Sequence, residues 1–225
     1  YDKLTAYGEA WHIDKVMDKI YASTGRSAII IGVECYDRRR LSEYSPWKIN
    51  PLAFDAKKNV AKDKGNRGGE GKLYAEFFTK NLKNAVDSRY NTDKERNATA
   101  IIGSSMGGLI SCYIGLNHQR LYETMGLFST YTQFNRKAFN KFLAATPQTL
   151  EQYALVYCGG MELDSVSASK RMLKDSWDLY ERLSNRGIHC ELLFNSDNKH
   201  YESAWGVYFD KFARDFLERY YSSKK

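Results

Sequence analysis

Residues 99–116 read Thr-Ala-Ile-Ile-Gly-Ser-Ser-Met-Gly-Gly-Leu-Ile-Ser-Cys-Tyr-Ile-Gly-Leu, and this stretch indicates both the fold and the chemistry. It opens with an apolar, β-branched run, the kind that forms a strand covered on both faces. Residues 106–116 then predict a helix with a glycine pair at its entry. Between the two, residues 103–107 match G-x-S-x-G, the nucleophile elbow, in which a serine lies on a strained strand-to-helix turn. Because the required strand and helix flank the motif, Ser105 is predicted to be a nucleophile.

The remaining chain alternates predicted strands with predicted helices. Four further apolar runs predict strands, at 27–35, 124–129, 153–158 and 188–194. Apolar spacing predicts the helices 11–21, 74–90, 106–116, 168–186 and 204–220. This alternation predicts an α/β fold with a mostly parallel sheet and helices on both faces. In such sheets, functional residues gather at the carboxyl ends of the strands.

Length and composition indicate one globular domain. The 225 residues show no break in composition, so we expect a single domain over 1–225, with a long, basic, Gly-rich excursion at 36–72. Residues 130–150 form a second long connection without a predicted element. Hydrophobic residues make up 43% and charged residues 27% of the chain, which excludes collagen-like and disordered classes. No apolar run approaches the roughly 18 residues that span a bilayer, so we expect no membrane association.

The positive charge of the chain is concentrated in one segment. The net charge is +7, and residues 35–72 hold ten Lys and Arg against five Asp and Glu. Because acidic and basic side chains interleave there among glycines, we expect a solvated surface loop and no nucleic-acid partner. Arg38, Arg39 and Arg40 follow a predicted strand. Either they face the mouth of a pocket and meet an anionic or polyhydroxylated substrate, or they are solvated and pair with Glu43.

The four cysteines, Cys35, Cys112, Cys158 and Cys190, lie far apart and lack the spacing of a metal site. We therefore expect no metal, and we interpret the cysteines as small buried hydrophobic side chains in a reducing compartment. A cytoplasmic location follows from this interpretation. The alternative is export after removal of a signal peptide, since the chain begins with Tyr1.

A serine nucleophile needs a base, and the chain offers four histidines. His200 lies in a polar loop between the last predicted strand and the final helix, where a sheet edge delivers a catalytic histidine. His118 ends the helix that leaves the elbow, His189 lies inside a strand, and His12 begins a helix without a matching role. The sequence therefore favours His200 as the general base.

An acidic residue must orient the imidazole, and the chain order Ser, Asp or Glu, His places it after the strand 153–158. Glu162 is favoured because Gly159 and Gly160 allow a sharp turn that brings it into the site. Asp164 remains the alternative, although it would more simply cap the helix that follows.

The oxyanion hole needs two backbone donors. The N–H of Met106 is predicted to supply one, at the start of a helix. The second normally follows an earlier strand, and Cys35 or Tyr36 would be poor substitutes for it.

The chain resembles the esterase family of α/β-hydrolases that groups S-formylglutathione hydrolases, feruloyl and acetyl-xylan esterases, enterochelin-type esterases and mycolyltransferases. The similarity covers nearly the whole chain, and its most specific parts are Gly-Ser-Ser-Met-Gly-Gly-Leu-Ile-Ser at 103–111 and Glu-Tyr-Ser-Pro-Trp at 43–47. The resemblance implies that Ser105 is the nucleophile, His200 the base and Glu162 the orienting acid.

The same resemblance implies a serine carboxylic-ester hydrolase that forms an acyl-enzyme and needs no cofactor. Its substrate would be a small-molecule or glycan-linked ester. Two alternatives stay open: a hydrolase-fold module that binds without turnover, and an acyltransferase with the same triad. Relatives carry further strands before the position of Tyr1. Without those strands we expect an exposed sheet edge, which favours pairing with another copy of the chain.

Overall fold

The computed structural model describes residues 9–36, 39–53, 57, 61 and 67–224. Its four strands form one parallel sheet in the order β1-β2-β3-β4. They are β1 (Ala100–Ser104), β2 (Thr124–Phe128), β3 (Tyr153–Met161) and β4 (His189–Lys199). Thr124 pairs with both Ala100 and Tyr153, and Tyr153 pairs with His189. The amino ends of the four strands therefore lie together along one edge of the sheet, the amino edge, and their carboxyl ends lie along the opposite edge, the carboxyl edge.

The helices are α1 (Ile13–Thr24), α2 (Arg40–Glu43), α3 (Gly71–Glu76), α4 (Lys83–Arg89), α5 (Met106–Asn117), α6 (Arg136–Ala145), α7 (Val166–Ser184) and α8 (Glu202–Ser222). A π-helical segment, Phe77–Leu82, joins α3 to α4. Short 3-10 helices span Arg96–Ala98 and Thr132–Asn135.

Two apolar cores cover the two faces of the sheet. Leu127 of β2 belongs to a large core with α5 and α7, whereas its neighbour Phe128 belongs to a smaller core with α1 and α8. Successive side chains of a strand point to opposite faces, so this division follows from the strand geometry. All five residues of β2 are buried. The predicted parallel sheet with helices on both faces is confirmed.

The predicted strand at 27–35 is wrong. Residues 26–36 carry no strand pairing in the described part of the chain. Val33 and Cys35 pack against the large core, while Ile29, Ile30 and Ile31 are 41–48% exposed. β-Branched residues favour an extended backbone, but a strand also needs a hydrogen-bonded neighbour. Among the described residues, β1 is an outer strand of the sheet and pairs only with β2.

The long connections also differ from their predictions. Residues 130–150, predicted as irregular, contain α6, where the Asn135 side chain accepts a hydrogen bond from Ala138 N, and Phe139 and Leu143 are buried one turn apart. In the excursion at 36–72, residues 41–46 are buried except for the half-buried Glu43, so this part is not a solvated loop. Among its described basic side chains, Lys48, Arg67 and Lys72 are nevertheless exposed. Arg38 and most of 54–66 lie outside the described residues.

The cysteines are free thiols: Cys112 and Cys158 are buried, and Cys35 and Cys190 are half-buried. Burial raises the pKa of Cys112 to about 12. No helix in the described ranges is both long and apolar enough to cross a membrane.

Candidate active site

The predicted elbow has a strained backbone at Ser105. This residue directly follows β1 and has φ 57° and ψ −121°, a conformation that costs energy in a non-glycine residue. The strain is held in place from both sides, since Ser105 N donates to Phe128 O (2.8 Å) and Tyr131 N donates to Ser105 O (3.1 Å). A Cβ on Gly103 would lie 2.5 Å from the carbonyl carbon and oxygen of Gly107. Only glycine at 103 leaves room for so tight an entry into α5.

The oxyanion candidate Met106 is the first residue of α5. The N–H groups of a first helical turn have no acceptor within their helix and lie at its positive end. The N–H of Met106 can therefore bind a developing negative charge. Tyr36 offers no second donor, because its N–H already donates to Glu43 Oε2 (2.9 Å).

Glu162 and His200, predicted from separate loops, are in direct contact. Each directly follows its strand, β3 or β4, and Glu162 Oε2 lies 2.5 Å from His200 Nδ1. The Glu162 side chain is 0% exposed and that of His200 is 25% exposed. A buried carboxylate requires hydrogen-bond donors. The other oxygen, Oε1, accepts from Gly159 N (2.6 Å) and from Ser129 Oγ (2.5 Å).

Two glycines bring the ends of β3 and β4 close enough for this contact. A Cβ on Gly159 would lie 2.3 Å from Asn198 O, and one on Gly160 would lie 2.3 Å from Ser196 O. The β3–β4 register also shifts between Gly159 and Met161. The glycine pair thus permits a close approach of two backbones, in addition to the sharp turn predicted from sequence.

Sequence reasoning missed Ser129, the residue after β2. Ser129 is fully buried, has φ 45° and contacts Glu162. It also accepts a hydrogen bond from Trp205 Nε1 (2.9 Å), whose ring meets the His200 ring edge-on at a centroid distance of 4.8 Å. A serine at the end of a strand has no sequence signature of its own, and only its place in the register brings it beside the carboxylate.

The alternative acid, Asp164, is exposed, and no hydrogen bond or ion pair joins it to His200 within the described residues. The predicted capping role of Asp164 is wrong. The N-cap of α7 is Ser165, whose hydroxyl accepts from Ala168 N (3.2 Å).

Among the described residues, no hydrogen bond or ion pair joins the other three histidines to Glu162. His12 precedes α1 and is exposed, and His118 follows α5, where burial lowers its pKa. His189 begins β4 at the opposite edge of the sheet and pairs with Glu151 (2.9 Å).

The described arginines of the 38–40 cluster have partners other than the expected Glu43. Arg39 forms an ion pair with Glu70, and the Arg40 guanidinium lies 5.8 Å from the centre of the Tyr44 ring. Among the described residues, no ion pair joins Arg39 or Arg40 to Glu43, and Arg38 lies outside the described residues.

The structure thus brings Glu162 and His200 together and places Ser105 at the same edge of the sheet. Within the described residues, no hydrogen bond joins Ser105 to His200. No group of three or more His, Cys, Asp or Glu side chains in the described ranges is arranged to hold a metal ion.

Known proteins are similar to this chain in sequence. Residues 1–206 match the protein family described as "Putative esterase". The chain is 26% identical over 162 residues to the uncharacterized protein YbbA of Bacillus subtilis, a match that covers 71% of this chain and 60% of that protein. The chain therefore spans about three fifths of the length of this curated relative.

Solved structures share the fold at low sequence identity. The siderophore hydrolase EstA of Aspergillus nidulans superposes with a TM-score of 0.71 at 13% identity, covering 92% of this chain and 78% of that one. The BES protein of Bacillus cereus gives a TM-score of 0.64 at 18% identity, covering 92% of this chain and 79% of that one. The predicted α/β-hydrolase fold is confirmed.

Proposed function

The chain belongs to this esterase family, and from that premise we propose that it is a serine carboxylic-ester hydrolase in which Ser105 is the nucleophile, His200 the general base and Glu162 the acid that orients it. The observation that carries the proposal is the buried contact between Glu162 Oε2 and His200 Nδ1, at the sheet edge that also holds the strained Ser105. A structural ion pair alone would not account for a strained serine at the same edge.

The reaction begins when Ser105 Oγ attacks the carbonyl carbon of the ester. His200 Nε2 takes the hydroxyl proton, while its Nδ1–H stays hydrogen-bonded to Glu162, which holds the ring in the required tautomer. The N–H of Met106 stabilises the negative charge that develops on the carbonyl oxygen. The imidazolium then gives its proton to the leaving alcohol, which leaves an acyl group on Ser105.

Water completes the cycle by the same route. His200 takes a proton from water as the water attacks the acyl carbonyl, and the proton returns to Ser105 Oγ when the acid leaves. The absence of a Ser105–His200 hydrogen bond among the described residues is compatible with this step, since catalytic hydrogen bonds are often long before substrate binds. Solved proteins of the same fold include a ferulic acid esterase and siderophore hydrolases. We accordingly place the substrate among small-molecule or glycan-linked carboxylic esters.

The proposal is tested with a series of p-nitrophenyl esters of increasing acyl length, assayed on the wild type and on Ser105→Ala. We expect turnover by the wild type and a loss of roughly 10⁴-fold or more in the variant. A fluorophosphonate probe should label the wild type at Ser105 and leave Ser105→Ala unlabelled. Thr130→Val serves as the control, because it alters a buried hydroxyl near the elbow without touching the proposed groups.

The possible results separate the candidate functions. If the folded wild type is neither active nor labelled, the hydrolase proposal fails, and a binding module becomes the better account. If added alcohols are acylated faster than water is, the protein is an acyltransferase that uses the same residues.

A further inference from the structure

Ser129 combines burial, a strained backbone and two side-chain hydrogen bonds. It is the first residue after β2, is 0% exposed and has φ 45°. The other described non-glycine residues with positive φ are His12 and the proposed nucleophile Ser105. Such strain persists where surrounding contacts hold it, and Ser129 N donates to Tyr157 O (2.7 Å).

The direction of the hydrogen bonds at Ser129 follows from the chemistry of its partners. The indole Nε1–H of Trp205 is only a donor, so Ser129 Oγ must accept from it (2.9 Å). The single hydroxyl proton of Ser129 is then free to point at Glu162 Oε1, which lies 2.5 Å away. Trp205 thus sets the direction of the Ser129 hydroxyl, and Ser129 supplies a second donor to Oε1 beside Gly159 N.

These contacts give the two oxygens of the Glu162 carboxylate different partners. Gly159 N and Ser129 Oγ hold Oε1, so that Oε2 faces His200 Nδ1 at 2.5 Å. Trp205 also touches the imidazole itself, edge-on, at a centroid distance of 4.8 Å. The ring and the carboxylate are therefore fixed relative to each other by a shared support.

We propose that Ser129, with its hydroxyl directed by Trp205, is a positioning residue that orients the Glu162 carboxylate toward His200. This inference rests on the proposed hydrolase function. Ser129 does not touch the reacting atoms in this account and acts only through Glu162. A hydroxyl in this place also stabilises the negative charge of the carboxylate, because hydrogen bonds to charged groups are stronger than neutral ones.

The test compares Ser129→Ala with Ser129→Gly. Both remove the hydroxyl, but only glycine removes the Cβ that is strained at φ 45°. We expect kcat to fall roughly 10- to 100-fold in both variants, the range that corresponds to one lost hydrogen bond to a charged group, with KM changed less than about twofold. Ser129→Gly should have a higher Tm than Ser129→Ala and yet be no more active.

A pH profile separates positioning from mere support of the fold. Without the Ser129 donor, the Glu162 carboxylate is no longer held with Oε2 facing Nδ1, so it stabilises the protonated imidazole less. The acidic limb of the kcat/KM profile should therefore move to lower pH in Ser129→Ala. Trp205→Phe keeps an aromatic ring beside His200 but lacks the N–H, and it should move the limb in the same direction by less.

Thr130→Val is the matched control, because Thr130 is the next residue, is 1% exposed, and its Oγ1 has no hydrogen-bond partner among the described residues. It should leave kcat and the pH profile unchanged. Recovery of wild-type kcat in Ser129→Gly, or an unmoved acidic limb in Ser129→Ala, would overturn the inference.

A readout that does not depend on turnover keeps this inference separate from the proposed function. The proton NMR signal of His200 Nδ1–H reports its hydrogen bond to Glu162 directly. It should move in Ser129→Ala and stay in place in Thr130→Val. If the wild type is inactive and unlabelled but this shift occurs, the hydrolase proposal fails while the positioning role stands. If the signal is the same in all three proteins, the positioning role fails.

Discussion

Each edge of the sheet carries a histidine–glutamate pair, and the two pairs differ in their surroundings. At the carboxyl edge, Glu162 Oε2 lies 2.5 Å from His200 Nδ1, with side-chain exposures of 0% and 25%. At the amino edge, Glu151 Oε1 lies 2.9 Å from His189 Nε2, and both side chains are 59% exposed. The same two residue types thus form one buried and one solvated pair on neighbouring strands.

The difference shows what the site requires beyond residue identity. Water screens the exposed His189–Glu151 pair, so such a pair contributes less than about 1 kcal/mol. Glu162 is closed off from water, and protein donors occupy its second oxygen. A carboxylate can orient an imidazole for proton transfer only where its own position is fixed in this way.

The largest expected effect comes from neutralising each glutamate in turn. In Glu162→Gln, the amide NH₂ faces Nδ1 and favours the tautomer with the proton on Nε2, which cannot accept a proton from Ser105. We expect kcat to fall roughly 10³- to 10⁴-fold. Glu151→Gln should change kcat less than about twofold. Steady-state kinetics on one ester measures kcat of both variants, and circular dichroism checks that both are folded. Similar losses in both variants would mean that burial does not distinguish the pairs.

Much of the fold was predictable because runs of apolar residues, and the spacing of apolar residues, indicate which parts of the chain are buried. The four paired strands begin within one residue of their predicted starts, at Ala100, Thr124, Tyr153 and His189. The strand at 27–35 failed because an extended conformation is local, whereas pairing depends on a neighbour elsewhere in the chain. Helix α6 was missed although Asn135 at its cap and the spacing of Phe139 and Leu143 were readable signals.

Only the part of the candidate site that follows from the order of strands along the chain was predictable. Parallel strands deliver the residues that follow them to one edge, and this rule selected Ser105, Glu162 and His200 for a role that remains a proposal. The rule does not say which further residues touch the carboxylate. Ser129 and Trp205 meet there because of register and side-chain packing, which no short motif encodes.

A second comparison concerns two glycines of the elbow, and its expected effects are smaller. Gly103→Ala should lower the free energy of unfolding by about 1–3 kcal/mol, since the new Cβ would lie 2.5 Å from backbone atoms of Gly107. Gly107→Ala meets nothing within 4 Å inside α5, so we expect it to be stabilising by about 0.5–1 kcal/mol. Urea unfolding of both variants measures the difference. Equal stabilities would show that the elbow relaxes freely and that its strain is not enforced by packing.

The smallest effect is expected at the amino edge, for Asp93, a carboxylate that accepts several hydrogen bonds. Asp93 accepts hydrogen bonds from Lys224 Nζ, Glu95 N and Tyr220 OH, and these partners lower its pKa to about 2. Because the pKa is lowered on folding, the charged form stabilises the protein above the usual aspartate pKa near 3.8. This contribution is lost as the pH falls through about 2.

Asp93→Asn should accordingly lower the free energy of unfolding at pH 7 by less than about 1 kcal/mol, because the Asp93–Lys224 pair is partly exposed and screened. The difference from the wild type should shrink as the pH falls from about 4 towards 2, where about half of the aspartate is protonated. Urea unfolding at several pH values measures this trend. A difference that is several times larger, or that persists at pH 2, would mean that hydrogen-bond donors alone fix a carboxylate as firmly as burial does. The contrast between the two edges would then depend on the number of hydrogen bonds and not on the exclusion of water.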